Sequence, residues 1–128
     1  MQAKILVVED DPDLREALVD TLELADCLVT EADCGESAIA KLSESAFDLV
    51  VSDINMPGID GHELLRHVVS KYPGLSVLLI TAYGSISSAV DAMRQGAVDY
   101  LVKPFEPKVL VELVEKYAQG QASSKADE

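Results

Sequence analysis

The stretch FDLVVSDINMPGIDG, residues 47–61, joins a strand-like run to a turn. Leu49-Val50-Val51-Ser52 is apolar and β-branched until Asp53, and Asn55 to Gly61 is rich in turn-forming residues. A short, almost unbroken apolar run of this kind reads as a strand buried on both faces, as in parallel sheets. Asp53 then stands at the sheet edge, on a loop anchored by a rigid strand.

The same grammar recurs on either side. Ile5-Leu6-Val7-Val8 runs into Glu9-Asp10-Asp11, Val77-Leu78-Leu79-Ile80 into Thr81, and Tyr100-Leu101-Val102 into Lys103-Pro104. Strands are expected over 4–9, 28–32, 47–52, 76–81 and 98–103, the second alternating weakly and so more exposed. Between and after them, helical spacing predicts helices over 13–25, 36–44, 61–71, 86–95 and 107–118. Pro12 precedes the first helix, Pro73-Gly74 closes the third, Gly96 stops the fourth and Pro107 starts the last. Five βα units with short links and right-handed crossovers give a parallel sheet with helices on both faces. In such a sheet the carboxyl ends of the strands open on one edge, where ligands bind. Glu9, Asp10, Asp53, Thr81 and Lys103 are therefore expected to meet there.

Three clustered carboxylates repel and raise one another's pKa unless a cation intervenes. Mg²⁺ suits such a set, since it takes a few carboxylates and keeps several waters. Lys103 balances the acids and can grip an anion, and the Thr81 hydroxyl can donate to one. Asp11 is better placed to cap the first helix than to join the cluster. Tyr100 reads as a half-buried strand tyrosine on the sheet face near the fourth helix, and His62 and His67 as surface histidines.

The 128 residues suit one domain, 1–118, followed by a polar tail over 119–128 that reads as a disordered end or the start of a linker. The net charge of −13 disfavours contact of this chain with nucleic acid or an anionic membrane. Cys27 and Cys34 lack metal-ligand spacing and read as reduced thiols. No leader or apolar run of membrane length is seen, so the cytoplasm is the expected compartment.

Glu9-Asp10, Asp53 within SDINMPGIDG, Thr81-Ala82 and Lys103-Pro104 together resemble the receiver domain of two-component response regulators. That resemblance implies a flavodoxin-like fold and a phosphorylation switch rather than a turnover enzyme. It implies that Asp53 takes a phosphoryl group from a sensor histidine kinase. Asp53 and Asp10 would bind Mg²⁺ directly, Glu9 through water, and Asn55 through its backbone carbonyl. Lys103 and Thr81 would hold the phosphoryl group. Tyr100 would then turn inward and reshape the face made by the fourth helix, fifth strand and fifth helix, which could pair as a homodimer. Asn55 and Tyr83 would flank the phosphoryl site and limit the access of water. The stretch TAYGSISSAVDAMRQGAVDYLVKPFEP is similar to receivers of NtrC-type, σ54-dependent activators, where an AAA+ ATPase and a DNA-binding domain follow.

Three other readings are weaker. An aspartyl phosphohydrolase needs an acid two residues after its nucleophile, where this chain has Asn55. A nucleotide- or flavin-binding module wants a Gly/Ser/Thr-rich loop after the first strand, in place of Glu9-Asp10-Asp11-Pro12. A docking module that never takes phosphate has no need of Asp53, Thr81 and Lys103 together.

Overall fold

A computed structural model describes residues 2–82 and 86–118, with the backbone alone at Ile86. Tyr83 and the 119–128 tail lie outside the described residues. Strands and helices alternate throughout: β1 (Lys4–Val8), α1 (Pro12–Leu24), β2 (Leu28–Ala32), α2 (Gly35–Glu44), β3 (Leu49–Asp53), α3 (Gly61–Lys71), β4 (Ser76–Ala82), α4 (Ile86–Gln95), β5 (Asp99–Lys103) and α5 (Pro107–Ala118). All pairings are parallel, in the order β2-β1-β3-β4-β5. The chain steps outward from β1 to β2 and then returns past it to β3. The carboxyl ends of β1 and β3 thus flank the point where the winding reverses, where crevices form in open α/β sheets.

Alternation along the strands sorts the core into two halves. Leu6, Val8, Val50, Val77 and Leu79 pack with α2, α3 and α4 through residues such as Leu42, Leu64, Val68 and Ala89. Ile5, Val7, Val51, Leu78 and Ile80 face the other way, onto Leu18 and Leu22 of α1 and Leu110 and Val114 of α5. Each of the buried valine, leucine and isoleucine side chains among these contributes about 1.5–3 kcal/mol relative to exposure. The central strands are apolar on both faces for this reason, whereas β2 at the edge shows partial exposure.

The expected ranges of β2, α3, α4 and α5 are met, and the other boundaries shift by one or two residues. Pro12 is inside α1 at its first position, where a missing N–H costs no hydrogen bond, and Asp11 is the N-cap. β3 begins at Leu49 and includes Asp53, because the ladder continues through Asp53 opposite Ile80. Its extension is sealed by the Ile54 N–H donating to the Ile80 carbonyl at 2.9 Å. Gly96 (φ +120°) ends α4 in a conformation that side chains rarely adopt. Cys27 and Cys34 are free thiols, and Cys34 caps α2 by accepting the Ser37 N–H at 3.4 Å. Among the described residues no helix is long and apolar enough to cross a membrane.

Candidate functional site

β3 delivers Asp53 to the sheet edge with its side chain only 5% exposed. The turn after it is built to hold that carboxylate. The Asn55 N–H donates to Asp53 Oδ1 at 3.0 Å, and Ser52 Oγ donates to the Asp53 carbonyl at 2.9 Å. Gly61 opens α3 against the same backbone, and a Cβ there would lie 2.6 Å from the Asp53 carbonyl oxygen. Only glycine permits that approach.

β1 delivers the other two acids. Glu9 is 1% exposed, and its polar groups are anchored in turn. Its N–H donates to the Ala32 carbonyl at 3.0 Å, its carbonyl accepts from Arg15 Nη1 at 2.8 Å, and Oε2 accepts the Asp11 N–H at 3.1 Å. Oε1 alone is buried with no hydrogen-bond partner. Asp10 is exposed beside it. Carboxylate oxygens of Glu9, Asp10 and Asp53 lie within 4.8 Å of one another.

From β5, Lys103 Nζ donates to Asp53 Oδ2 at 2.8 Å and lies 3.9 Å from Glu9 Oε1. Burial alone would lower the lysine pKa, but the hydrogen bond and charge of Asp53, with Glu9 and Asp10 beyond, raise it above the ordinary value. Lys103 therefore stays charged. Burial pushes Glu9 up to about 8 against the pull of the Asp11 N–H; neighbouring Asp53 adds to the rise and Lys103 opposes it. One lysine does not compensate three acids, and a buried carboxylate oxygen without a partner is costly. Oxygen-only donors, a surplus of negative charge and an orphaned Glu9 Oε1 fit a hard divalent cation.

Of the residues singled out in the sequence, Glu9, Asp10, Asp53 and Lys103 come together directly. The Asn55 backbone touches Asp53 through its N–H. Thr81 is fully buried next to Ile80, the register partner of Asp53, and its hydroxyl turns to the Ala82 carbonyl at 3.4 Å. Tyr100 stands apart from the acids, half-buried against the core on the α4 side. The two histidines are less free than expected for surface residues. His62 Nε2 shares a 2.7 Å hydrogen bond with Ser88 Oγ, joining α3 to α4, and the His67 ring lies 6.0 Å from that of Tyr72. Arg15 and Gly61 were not singled out in the sequence. A lone arginine on a helix, or a glycine after a turn, gives no signal until the tertiary neighbours are known.

A parallel sheet reversing at β1 and β3, with acids at both ends answered by a strand-end lysine, is an arrangement shared with a known class. Residues 5–115 match the response regulator receiver domain, and the chain belongs to that family. It is accordingly a signalling switch of the two-component type. The chain is 56% identical over 121 residues to the response regulator protein FleR of Pseudomonas aeruginosa, covering 94% of this chain and 26% of that protein. It is 39% identical over 112 residues to the DNA-binding transcriptional regulator NtrC of Salmonella typhimurium, covering 88% of this chain and 24% of that protein. It thus spans about a quarter of the length of these relatives. A crystal structure of NtrX from Brucella abortus superposes with a TM-score of 0.92 at 33% identity, covering 98% of this chain and 29% of that one. A receiver domain protein from Clostridium thermocellum matches with a TM-score of 0.90 at 27% identity, over 94% of this chain and 97% of that one.

Proposed function

We propose that Asp53 is the phospho-acceptor of this receiver. An Asp53 carboxylate oxygen attacks the phosphorus of a phosphohistidine on a sensor kinase. The new P–O bond makes an acyl phosphate as the P–N bond breaks, and the departing imidazole takes up a proton. Phosphoryl transfer needs mainly positioning and charge neutralisation, and the site is arranged for both. The Asn55 N–H and the Lys103 ammonium already fix the two oxygens of Asp53. The observation that carries the proposal is the three-acid cluster, with Glu9 Oε1 orphaned and Lys103 on Asp53.

Asp10 and Asp53, with Glu9 through water and the Asn55 carbonyl, would hold Mg²⁺, which when bound neutralises the charge of the incoming phosphoryl oxygens. Lys103 then exchanges part of its contact with Asp53 for a phosphoryl oxygen. The long Thr81 contact to Ala82 is weak enough to be given up for the same group. Tyr100 follows into the space that Thr81 leaves, and the α4–β5–α5 face changes shape. Val90, Met93 and Val109 are exposed apolar side chains on α4 and α5, which suits that face to a second copy or to a following domain. Tyr83 would stand beside the phosphoryl group with Asn55 and slow hydrolysis.

In this reading the chain's chemistry is limited to its own phosphorylation and dephosphorylation. Residues 1–118 are the receiver and 119–128 a polar tail or the start of a linker, and the output it controls is transcriptional, as in NtrC-type activators. The test is intact mass after incubation with Mg²⁺ and acetyl phosphate, beside an Asp53→Ala variant. One phosphoryl adduct on the parent and none on the variant is expected. An adduct that survives in Asp53→Ala would move the acceptor elsewhere.

A further inference from the structure

We propose that Arg15 is a positioning residue for the acid pair, acting through the peptide carbonyl between Glu9 and Asp10. The inference rests on the reading that these acids hold a divalent cation.

Arg15 is in the first turn of α1, where its N–H donates to the Asp11 carbonyl at 2.9 Å. Its guanidinium reaches back over the loop that leads into the helix. Nη1 donates to the Glu9 carbonyl at 2.8 Å, and Nε pairs with Glu31 Oε1 at 3.0 Å. One side chain, 20% exposed, therefore ties α1 to the end of β1 and to β2. The rigid fork of a guanidinium can hold two acceptors in fixed relation, which suits it to bracing.

The bond falls at a telling place. The Glu9 carbonyl belongs to the peptide plane that leads into Asp10, so fixing it fixes the direction in which Asp10 leaves the sheet. Among the described residues no hydrogen bond is made to the Asp10 carboxylate, so its place depends on the backbone beneath it. Glu9 is held on its other sides by Ala32 and Asp11, and Arg15 completes that frame. Groups that orient metal ligands from outside in this way typically contribute 10–100-fold to affinity.

The sign of the effect separates this role from simple proximity. A cation beside a cation site repels the metal. If Arg15 were only a nearby charge, deleting it would tighten Mg²⁺ binding. If it positions Glu9 and Asp10, deleting it weakens binding despite the relieved repulsion. The experiment is calorimetric titration of the chain with Mg²⁺ alone, without phosphodonor, for the parent, Arg15→Ala and Arg15→Lys. Urea denaturation of each variant establishes that it is folded. Affinity about tenfold weaker in Arg15→Ala, and only partly restored in Arg15→Lys, whose ammonium keeps the charge but cannot hold both acceptors in fixed relation, is expected. Equal or tighter binding by Arg15→Ala overturns the role of Arg15 and leaves the metal site intact. A parent that takes up no Mg²⁺ overturns the divalent-site reading itself, and this inference with it.

Discussion

Glu9 shows how one residue can be legible in kind and hidden in depth. Its place beside Asp10 at the end of an apolar run is plain in the sequence, and so is its carboxylate character. That it is buried to 1% while Asp10 is exposed is not, because depth below a sheet edge is set by the loop beyond it. Its raised pKa has a consequence for folding. Below its ordinary value of 4.5 both folded and unfolded chains carry the proton; between there and about 8 the folded chain holds one proton more. Stability therefore falls as pH rises through that window, and above it both states are ionised. Urea unfolding in EDTA at a series of pH values should show this decline, and Glu9→Gln should flatten it. A parent whose midpoint rises steadily from pH 5 to 8 would sink the assignment. Gly61 marks the opposite case, since its contact with the Asp53 backbone arises from tertiary approach and has no local signature.

The elements themselves are well written in the sequence. Apolar runs ending in Glu9, Asp53, Thr81 and Lys103 locate β1, β3, β4 and β5, weak alternation locates β2, and the proline and glycine positions locate most helix ends. What periodicity missed are the links between elements, such as His62 to Ser88, because it describes one helix at a time. Capping is intermediate, legible where an acid follows a strand and precedes a proline. Asp11 accepts the N–H groups of Asp13 and Leu14 at 3.0 and 3.5 Å and carries no part of the acid cluster. Asp11→Ala should thus cost α1 about 1 kcal/mol, read as a lower urea midpoint. It should leave the extent of phosphorylation at saturating Mg²⁺ near that of the parent. Loss of the adduct would mean that Asp11 belongs to the site.

Across the whole molecule, the layering was inferable because parallel strands need crossovers, and crossovers of fixed hand leave few arrangements. Which helices share a face was not inferable from composition, and it decides that α1 and α5 stand together, away from α4. A charge of −13 acts on the molecule as a unit. Self-repulsion favours the expanded chain, and salt screens it over about 10 Å at 0.1 M. Adding NaCl from low ionic strength to 0.15 M should therefore raise the thermal midpoint without divalent metal present. A midpoint that falls would show that the pairs at Lys103 and Arg15 outweigh the diffuse repulsion.

The order in which the chain leaves the ribosome gives the Lys103–Asp53 pair one more meaning. The two partners are 50 residues apart, and Lys103 sits at the end of the last strand. Glu9 and Asp53 emerge early and can be drawn together as soon as β1 and β3 pair, while the ammonium that tempers them is still unmade. Until β5 is made, the acids contributed by β1 and β3 have no Lys103 to pair with. The contact that tempers the acid cluster, without neutralising it, is thus the last part of the site to be synthesised.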